Sequence, residues 1–400
     1  MLMRRTKRLL AVLLSLLVWI LPACDLLERE QGPTAFEFAV IAPFGEEYSD
    51  LGQSVRNGVL LAVEAQNERG GLLGQPVQVI LEDSACDYQT ARDVAQSVIA
   101  EEGVTFVIGA VCAGASEGVA QITSDAGVLQ ISPASVDADL TEDAAGALRP
   151  LVFRTAVTDL DQAVIAAKLV LDRWGAGTVG ILHSEQGNYG ATLADAFTLA
   201  FEAEDGEVVA RETYDQDSLQ FYEALEPVRD ADPDVLYLPG YYTVINRLVS
   251  QLRAFGMFQP IVGSDGWNST NLDVNVVGDS YFPVHYYGSE PRSVVATWNS
   301  LYETRYLVPP DTLATLSYDA TNMLFAAVET SGYIDPYGVA QALETSAFET
   351  VSGWLTFDDM HNPVKPMVIL RVNSGTIRFV ERRFARPPEN ERLEDLEPES

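Results

Sequence analysis

Short apolar runs alternate with segments of helical spacing along the first third of the chain. The apolar runs are rich in β-branched residues and have the length of buried strands in a parallel sheet. They cover residues 36–43, 77–81 and 104–108, and the helical segments between them cover residues 52–66 and 88–101. Gly70 and Gly71, which follow the first helical segment, are typical of a helix C-terminus. This order of strand, helix, strand, helix and strand predicts a doubly wound parallel sheet.

The alternation continues through a helix at 118–126 and a strand at 128–131, and it restarts after Thr155. The second set has predicted helices that end at Trp174 and Ala203, helices at 219–229 and 243–255, and strands at 178–182, 208–212, 235–238 and 260–263. A chain of 400 residues exceeds one ordinary core. Two similar sets of elements therefore predict an α/β protein with two similar lobes.

The pattern becomes less regular beyond Ser280. It predicts a strand at 281–287, helices at 293–306, 312–331 and 339–344, and a late sheet edge made of residues 351–357, 366–372 and 377–380. The last residues, 386–400, are mostly charged and contain proline, so we expect disorder there.

The stretch from Thr105 to Ser116 is the predicted centre of function. Its first residues form a buried strand, and the glycines that follow allow the backbone to approach a ligand closely. We expect a helix to begin near Ser116, with this serine as its N-cap. The unpaired N–H groups at that helix start would then face whatever occupies the adjoining cleft.

The charge balance excludes some classes of partner. The chain carries 25 basic and 58 acidic residues, a net charge of −33, so nucleic acid is not an expected partner. Such acidity keeps a protein soluble and carries no information about the fold. His183, His285 and His361 are scattered without metal-ligand spacing, and we expect neither a metal nor a cofactor.

The N-terminus has the organisation of an export signal. Residues 1–23 combine four basic residues with an apolar run that is shorter than the about 20 residues of a spanning helix. Leu21–Cys24 resembles a bacterial lipobox, which predicts a lipid on Cys24 and a tether over residues 24–35. Cleavage by an ordinary signal peptidase and an uncleaved membrane anchor are the alternatives.

Two further cysteines, Cys86 and Cys112, remain in the chain. In an exported protein, an even pair of cysteines favours a disulfide over two free thiols.

Several segments, in this order along the chain, resemble the type I periplasmic binding proteins of ABC transporters, especially the leucine/isoleucine/valine group. The resemblance covers roughly residues 36–381. The segments that carry it are 67–74 (NERGGLLG), 82–87 (EDSACD), 107–112 (VIGAVC), 131–135 (ISPAS), 188–190 (NYG), 238–242 (LPGYY), 263–266 (GSDG) and 317–320 (SYDA).

The resemblance implies two doubly wound α/β lobes that are joined by three hinge crossings, near Thr155, Ser289 and Val351. The first lobe would comprise residues 36–155 plus 289–350, and the second residues 156–288 plus 351–385. It further implies a disulfide between Cys86 and Cys112, a small-molecule ligand between the lobes, a monomer, and an ABC permease as the membrane partner.

The family's ligand contacts fall on two turns of the first lobe and on three positions of the second. The turns would hold the α-carboxylate of an amino acid, and an acidic residue would hold its ammonium group. The turn positions are Ala113, Ser116, Ala134, Ser135 and Val136, the acidic position is Asp265, and the aromatic positions are Tyr189 and Tyr241.

This sequence departs from the family where the relatives have hydroxyl side chains. Ala113 and Val136 occupy those positions, which leaves Ser116 and Ser135 as candidate replacements. A plainer interpretation is also open: Asp265 would be a turn residue and Tyr241 a packing residue of its own lobe.

Three functions are compatible with these residues. A hydrolase is suggested by Gly114–Gly118, which matches G-x-S-x-G around Ser116, with His361 later in the chain. It is disfavoured because the apolar strand ends several residues before the first glycine. A ligand-sensing receptor would use the same fold. The preferred function is a membrane-anchored, extracytoplasmic solute-binding lipoprotein that captures an amino acid or a related carboxylate or amide for an ABC importer, without catalysis.

Overall fold

The computed structural model describes residues 35–386 of the 400-residue chain. The predicted signal peptide, Cys24, most of the tether and nearly all of the predicted tail lie outside the described residues. In the described part, none of the helices has the length and apolar character needed to cross a membrane.

The first lobe is built on a five-stranded parallel sheet with the strand order β2-β1-β3-β4-β5. Its strands are β1 (Phe36–Ala42), β2 (Val77–Asp83), β3 (Phe106–Gly109), β4 (Leu129–Ser132) and β5 (Val152–Arg154), and its first helices are α1 (Ser49–Glu68), α2 (Tyr88–Glu102) and α3 (Ala113–Ala126). All four residues of β3 are buried, as the apolar run predicts for a central strand.

The second lobe is built on a seven-stranded sheet with the order β15-β14-β10-β9-β8-β6-β7. The chain passes in order through α4 (Asp159–Trp174), β6 (Thr178–Ser184), α5 (Tyr189–Glu202), β7 (Glu207–Tyr214), α6 (Tyr222–Ala231), β8 (Val235–Leu238), α7 (Tyr242–Ala254), β9 (Ile261–Gly263), α8 (Val274–Val277) and β10 (Ser280–Val284). Strands β6 to β10 pair in parallel, whereas β14 (Met367–Asn373) runs antiparallel to both β10 and β15 (Thr376–Arg383).

Apolar residues cover both faces of the second sheet. Leu236 and Leu238 of β8 belong to one buried cluster, whereas Val235 and Tyr237 belong to another on the opposite side. This alternation places helices on both faces, which is the doubly wound arrangement. The predicted fold of two doubly wound α/β lobes is confirmed.

Three later helices follow the second sheet's parallel strands: α9 (Ser293–Tyr306), α10 (Thr312–Ser331) and α11 (Pro336–Thr345). Helices α10 and α11 contribute apolar side chains, among them Met323 and Leu343, to the core of the first sheet. The helix predicted at 339–344 begins earlier, because Pro336 fits the first helical position and the Asp335 carboxylate accepts a hydrogen bond from Gly338 N–H.

The predicted sheet edge at residues 351–357 is wrong. These residues instead belong to a separate small sheet of β11 (Phe348–Thr350), β12 (Gly353–Phe357) and β13 (Pro363–Val364). Leu355 lies in the core of the first sheet, and the Phe357 ring packs edge-on against Phe153 with centroids 5.0 Å apart. The allocation of residues 351–385 to the second lobe therefore fails for this segment, because a tight turn lets β12 pair with its neighbour β11.

Candidate functional site

The turn after β3 brings the backbone close to the neighbouring strand. Gly109 has a φ of +133°, and a Cβ atom there would lie 2.1 Å from the carbonyl oxygen of Ile41, so only glycine fits. The chain then enters α3 with Cys112 at the N-cap. Cys112 forms the disulfide with Cys86, with their Cα atoms 5.3 Å apart, which confirms the predicted pairing.

Ser116 is not the N-cap of α3. The helix begins at Ala113, and Ser116 N–H donates to the Cys112 carbonyl at 2.8 Å inside its first turn. Its hydroxyl is fully buried and has no hydrogen-bond partner among residues 35–386. Serine is a preferred capping residue, and it therefore pointed to an N-cap four residues later than the observed one, Cys112.

The geometry around Ser116 does not form a nucleophile elbow. A nucleophile elbow exposes its serine on a sharp turn, whereas this side chain is buried in a helix. The candidate base, His361, has Nδ1 at 3.1 Å from the Val152 carbonyl and Nε2 at 3.1 Å from Glu344, and it stacks on Phe153. Both of its ring nitrogens are therefore engaged in structural contacts.

The turn after β4 is joined to the turn after β3. The Ser132 hydroxyl donates to the Ala110 carbonyl at 3.0 Å and accepts from Ser135 N–H at 3.1 Å. The Ser135 hydroxyl is buried and has no partner in the described part of the chain. Behind this turn, the Arg154 guanidinium donates to the carbonyls of Ser135 and Asp137. Burial lowers the pKa of Arg154 to about 10, so it keeps its positive charge at neutral pH.

Asp265 begins a short 3-10 turn, Asp265–Trp267, at the carboxyl end of β9. The Tyr189 hydroxyl donates to its Oδ1, and the Asp265 N–H donates to Gln162 Oε1 at 2.8 Å. His285 Nε2 lies 3.6 Å from Oδ2, beyond hydrogen-bond distance but close enough for charge interaction. A quarter of the Asp265 side chain remains exposed, which leaves it accessible to a ligand.

The surroundings keep Asp265 negatively charged. Burial raises its pKa, but His285, the hydrogen bond from the Tyr189 hydroxyl and the nearby Gln162 side chain outweigh this effect and hold the pKa below its usual value. Burial lowers the pKa of His285, which favours its neutral form at neutral pH. The carboxylate therefore has no full cationic partner, which favours an approaching cation.

Tyr189 and Tyr241 form an aromatic wall next to Asp265. Their rings are stacked with centroids 4.7 Å apart, and Tyr241 is 53% exposed. The close approach requires Gly266, because a Cβ atom there would lie 3.1 Å from both the Tyr189 hydroxyl and Tyr241 Cδ1. Gly266 N–H also donates to the Tyr189 hydroxyl at 3.0 Å.

A cavity of about 890 Å³ lies between residues of the two lobes. Its first wall includes Ala113, Ser135 and Val136, which the structure thus brings together. Its second wall includes Asp159 and Asn188, the latter being the residue before Tyr189. Ala134 adjoins this wall in sequence, whereas Ser116 lies inside α3. That these residues bind a ligand stays a prediction.

Asp159 lines the cavity but was not predicted from the sequence. It is the first residue of α4, is 5% exposed and lines the cavity. Burial, followed by the charges of Asp265 and Asp137, raises its pKa to about 8. Gln162, three residues further on, lies on the same face of the helix and contacts Asp265. The signal that the sequence offered for this pair was the i, i+3 spacing of Asp159 and Gln162 at a predicted helix start, which places both residues on one face of the helix.

The chain was compared with known proteins. A family model described as periplasmic binding protein matches residues 36–376. The chain belongs to the periplasmic binding protein family. Within the described residues, this binding protein has no group of three or more histidine, cysteine or acidic side chains that could hold a metal ion.

Individual relatives confirm the resemblance to the leucine/isoleucine/valine group. The leucine-, isoleucine-, valine-, threonine- and alanine-binding protein of Pseudomonas aeruginosa is 26% identical over 328 residues, which are 81% of this chain and 86% of the relative. The Leu/Ile/Val-binding protein of Escherichia coli is 27% identical over 327 residues, 80% of this chain and 86% of the relative.

A solved structure shares the fold of this binding protein. It is the branched-chain amino acid transporter substrate binding protein of Streptococcus pneumoniae in complex with isoleucine. Its TM-score is 0.72 at 25% identity, and the match covers 88% of this chain and 100% of that chain.

Proposed function

We propose that this protein is an extracytoplasmic solute-binding lipoprotein of an ABC importer, which captures an amino acid or a related carboxylate or amide between its lobes. The observation that carries the proposal is the position of Asp265, whose side chain is a quarter exposed next to Tyr189 and Tyr241. Its carboxylate is anionic, is partly exposed beside two stacked tyrosines, and has no full cationic partner among residues 35–386. Such a group is suited to the ammonium of an amino acid.

The first wall supports the binding of the ligand's carboxylate. The first N–H groups of α3 lack acceptors within the helix, and the positive end of the helix dipole lies at the same place. Ala113 at the helix start carries no hydroxyl, and so the backbone N–H groups and the Ser135 hydroxyl would supply the hydrogen bonds. A carboxylate there would leave the rest of the ligand to extend towards the second lobe, although Asp265, Tyr189 and Tyr241 are not among the residues that line this cavity.

Ligand contacts on both walls would favour the closed arrangement of the lobes. A ligand that touches only one wall has no differential affinity for the closed state and cannot shift the equilibrium. We propose crossings near Thr155, near Ser289 and after the small sheet, with lobe closure as the signal that the permease recognises. The lipid on Cys24 would hold the protein at the extracytoplasmic membrane surface. The chain would act as a monomer without catalysis.

A binding screen followed by one pair of variants tests this proposal. Thermal-shift measurements with amino acids, amides, short carboxylates and urea should yield at least one stabilising ligand that contains an amino group. Asp265→Asn should weaken that ligand by about 10- to 100-fold in calorimetry, because a charge-assisted hydrogen bond contributes about 1.5–3 kcal/mol. Asp125→Asn, on the far side of α3, is the matched control. Unchanged affinity in Asp265→Asn would show that the amino group binds elsewhere.

A further inference from the structure

The wall of the cavity has an excess of negative charge. Six acidic residues line it, and Arg149 is the one basic residue among its lining residues in the described chain. The Arg149 guanidinium is already engaged, because it donates to both carboxylate oxygens of Glu117 at 2.8 Å. The other five lining acids are Asp137, Asp139, Glu142, Asp143 and Asp159.

Asp159 differs from the other acids by its burial. Only 5% of the residue is exposed, and its Oδ1 has no hydrogen-bond partner in the structure from residue 35 to residue 386. A buried acceptor without a partner is costly, and it is rare in native structures unless a ligand or water completes it. Its backbone N–H faces the Val136 carbonyl at 3.5 Å, which places Asp159 where the two walls meet.

We propose that Asp159 binds a second cationic nitrogen of the ligand, and that the ligand is an amino acid with a basic side chain. This inference rests on the proposed function, in which Asp265 binds the α-ammonium group. Asp265 lies close enough to Asp159 for its charge to raise the pKa of Asp159, so one ligand could contact both carboxylates. A cavity of about 890 Å³ has room for a long side chain.

Binding of a cation at Asp159 should release the proton of its carboxyl group. In the empty protein the pKa of Asp159 is about 8, so the carboxyl is mostly protonated at pH 7. A bound cation favours the carboxylate, and the proton therefore passes from Asp159 to the buffer upon binding. The affinity for a basic amino acid should then rise as the pH increases from 6 to 8, by at most about tenfold per pH unit.

Other ionisable groups surround Asp159 and set this behaviour. They are Asp265 after β9, Asp137 after β4, Arg154 on β5, Tyr189 on α5, Tyr237 on β8 and Tyr241 before α7. Burial raises the pKa of each of these three tyrosines, and that of Arg154 is about 10, so none of them titrates between pH 6 and 8. Asp265 is already ionised in that range, because its pKa is lowered.

L-lysine and L-norleucine form a matched pair of probes, because they share a carbon chain and differ by the terminal ammonium group. In calorimetry with the full-length protein at pH 7, lysine should bind about 10- to 100-fold more tightly than norleucine. Asp159→Asn should abolish this preference, so that lysine and norleucine bind to the variant with affinities within about threefold of each other. Asp172→Asn, at the exposed far end of the same helix, makes the same substitution away from the cavity and should keep the preference.

Proton release is measured separately on the wild-type protein, so the test does not depend on how a variant folds. Calorimetry of lysine binding in phosphate and in Tris at pH 7 should show release of most of one proton, whereas norleucine should release none. Equal binding of both probes, a lysine preference that survives Asp159→Asn, or no proton release with lysine would each overturn the inference. If norleucine still bound in an Asp265-dependent manner, the proposed function would stand. If no amino acid bound at all, the proposed function would fail as well.

Discussion

Asp159 is a buried acid whose ionisation opposes folding. Its pKa is about 8 in the folded protein, compared with about 4 for an exposed aspartate. Between these two values the folded protein holds a proton that the unfolded chain has released. The contribution of Asp159 to the free energy of unfolding is therefore greatest below about pH 4, and this contribution is lost as the pH rises towards 8.

Asp159→Asn removes this loss, because asparagine does not titrate. In the absence of ligand, the melting temperature of the variant relative to wild type should increase steadily between pH 5 and pH 8. Differential scanning calorimetry at four pH values measures the trend, and the difference cancels the other titrating groups. Asp172→Asn, whose carboxylate is exposed and pairs with Arg383, should show no such trend. A constant difference would mean that Asp159 is ionised in the empty protein.

Residues of the candidate site differed in how far the sequence could predict them. Asp265, Tyr189 and Tyr241 were selected by their family positions, and the structure places them side by side. Asp159 and His285 were missed because their properties arise from burial and from neighbours distant in sequence. The amino-acid sequence alone does not show which buried carboxylate will lack a hydrogen-bond partner in the fold.

At the scale of elements, the disulfide fixes the start of α3. It joins Cys112, the N-cap residue, to Cys86 in the loop after β2, across a separation of 26 residues. The helix start forms part of the first wall of the cavity through Ala113 and Gly114. The disulfide therefore couples the position of the first wall of the cavity to strand β2.

Replacing both cysteines by serine should lower the free energy of unfolding by about 3–4 kcal/mol, as the chain-entropy relation gives for a loop of this length. Urea unfolding of the oxidised wild type and the double variant measures the loss. Adding a reducing agent to the double variant should change nothing, whereas it should destabilise the wild type. Equal unfolding midpoints for the two proteins would exclude a stabilising disulfide.

The sequence predicted the regular elements well and their ends less well. The bounds of α9 and α10 agree with the predicted ranges. The start of α3 was misplaced, since Ala113, Gly114 and Ala115 give no apolar period. The partner of β12 was also wrong, because a strand's pattern indicates that it is half buried but does not identify the strand with which it pairs.

At the scale of the whole molecule, a buried charged cluster connects two stretches of chain near the proposed crossings. The Glu290 carboxylate accepts from Arg292 at 2.6 Å and from Arg382 at 3.1 Å. The same two guanidinium groups donate to the carbonyls of Val351 and Ser352.

Asp319 of α10 and Lys365 complete this cluster. The Asp319 carboxylate accepts from the N–H groups of Val351 and Ser352, both at 2.9 Å, and Lys365 Nζ donates to the Ser352 hydroxyl at 2.8 Å. The cluster therefore ties residues 290–292 to residues 351–352 through side chains from both lobes.

Glu290→Ala should destabilise the protein by about 3–5 kcal/mol, because it leaves two guanidinium groups without their shared buried carboxylate. Denaturant unfolding measures the effect, and Glu290→Gln should recover part of it by retaining an acceptor. Asp279→Asn breaks the exposed ion pair with Arg371 and should cost at most about 1 kcal/mol. A similarly small loss in Glu290→Ala would show that the cluster does not stabilise the fold.

The separation between this cluster and the cavity has a practical consequence. No residue of the cluster is among the residues that line the cavity in the described chain, so ligand preference can be changed at the cavity wall without altering the cluster. A pair of fluorophores, one on the exposed Leu199 of α5 and one on the exposed Tyr333 after α10, would report the distance between the lobes. Variants of the cavity wall could then be ranked by the change in fluorescence upon ligand binding alone. The protein would thereby become a scaffold for reagentless optical detection of small solutes.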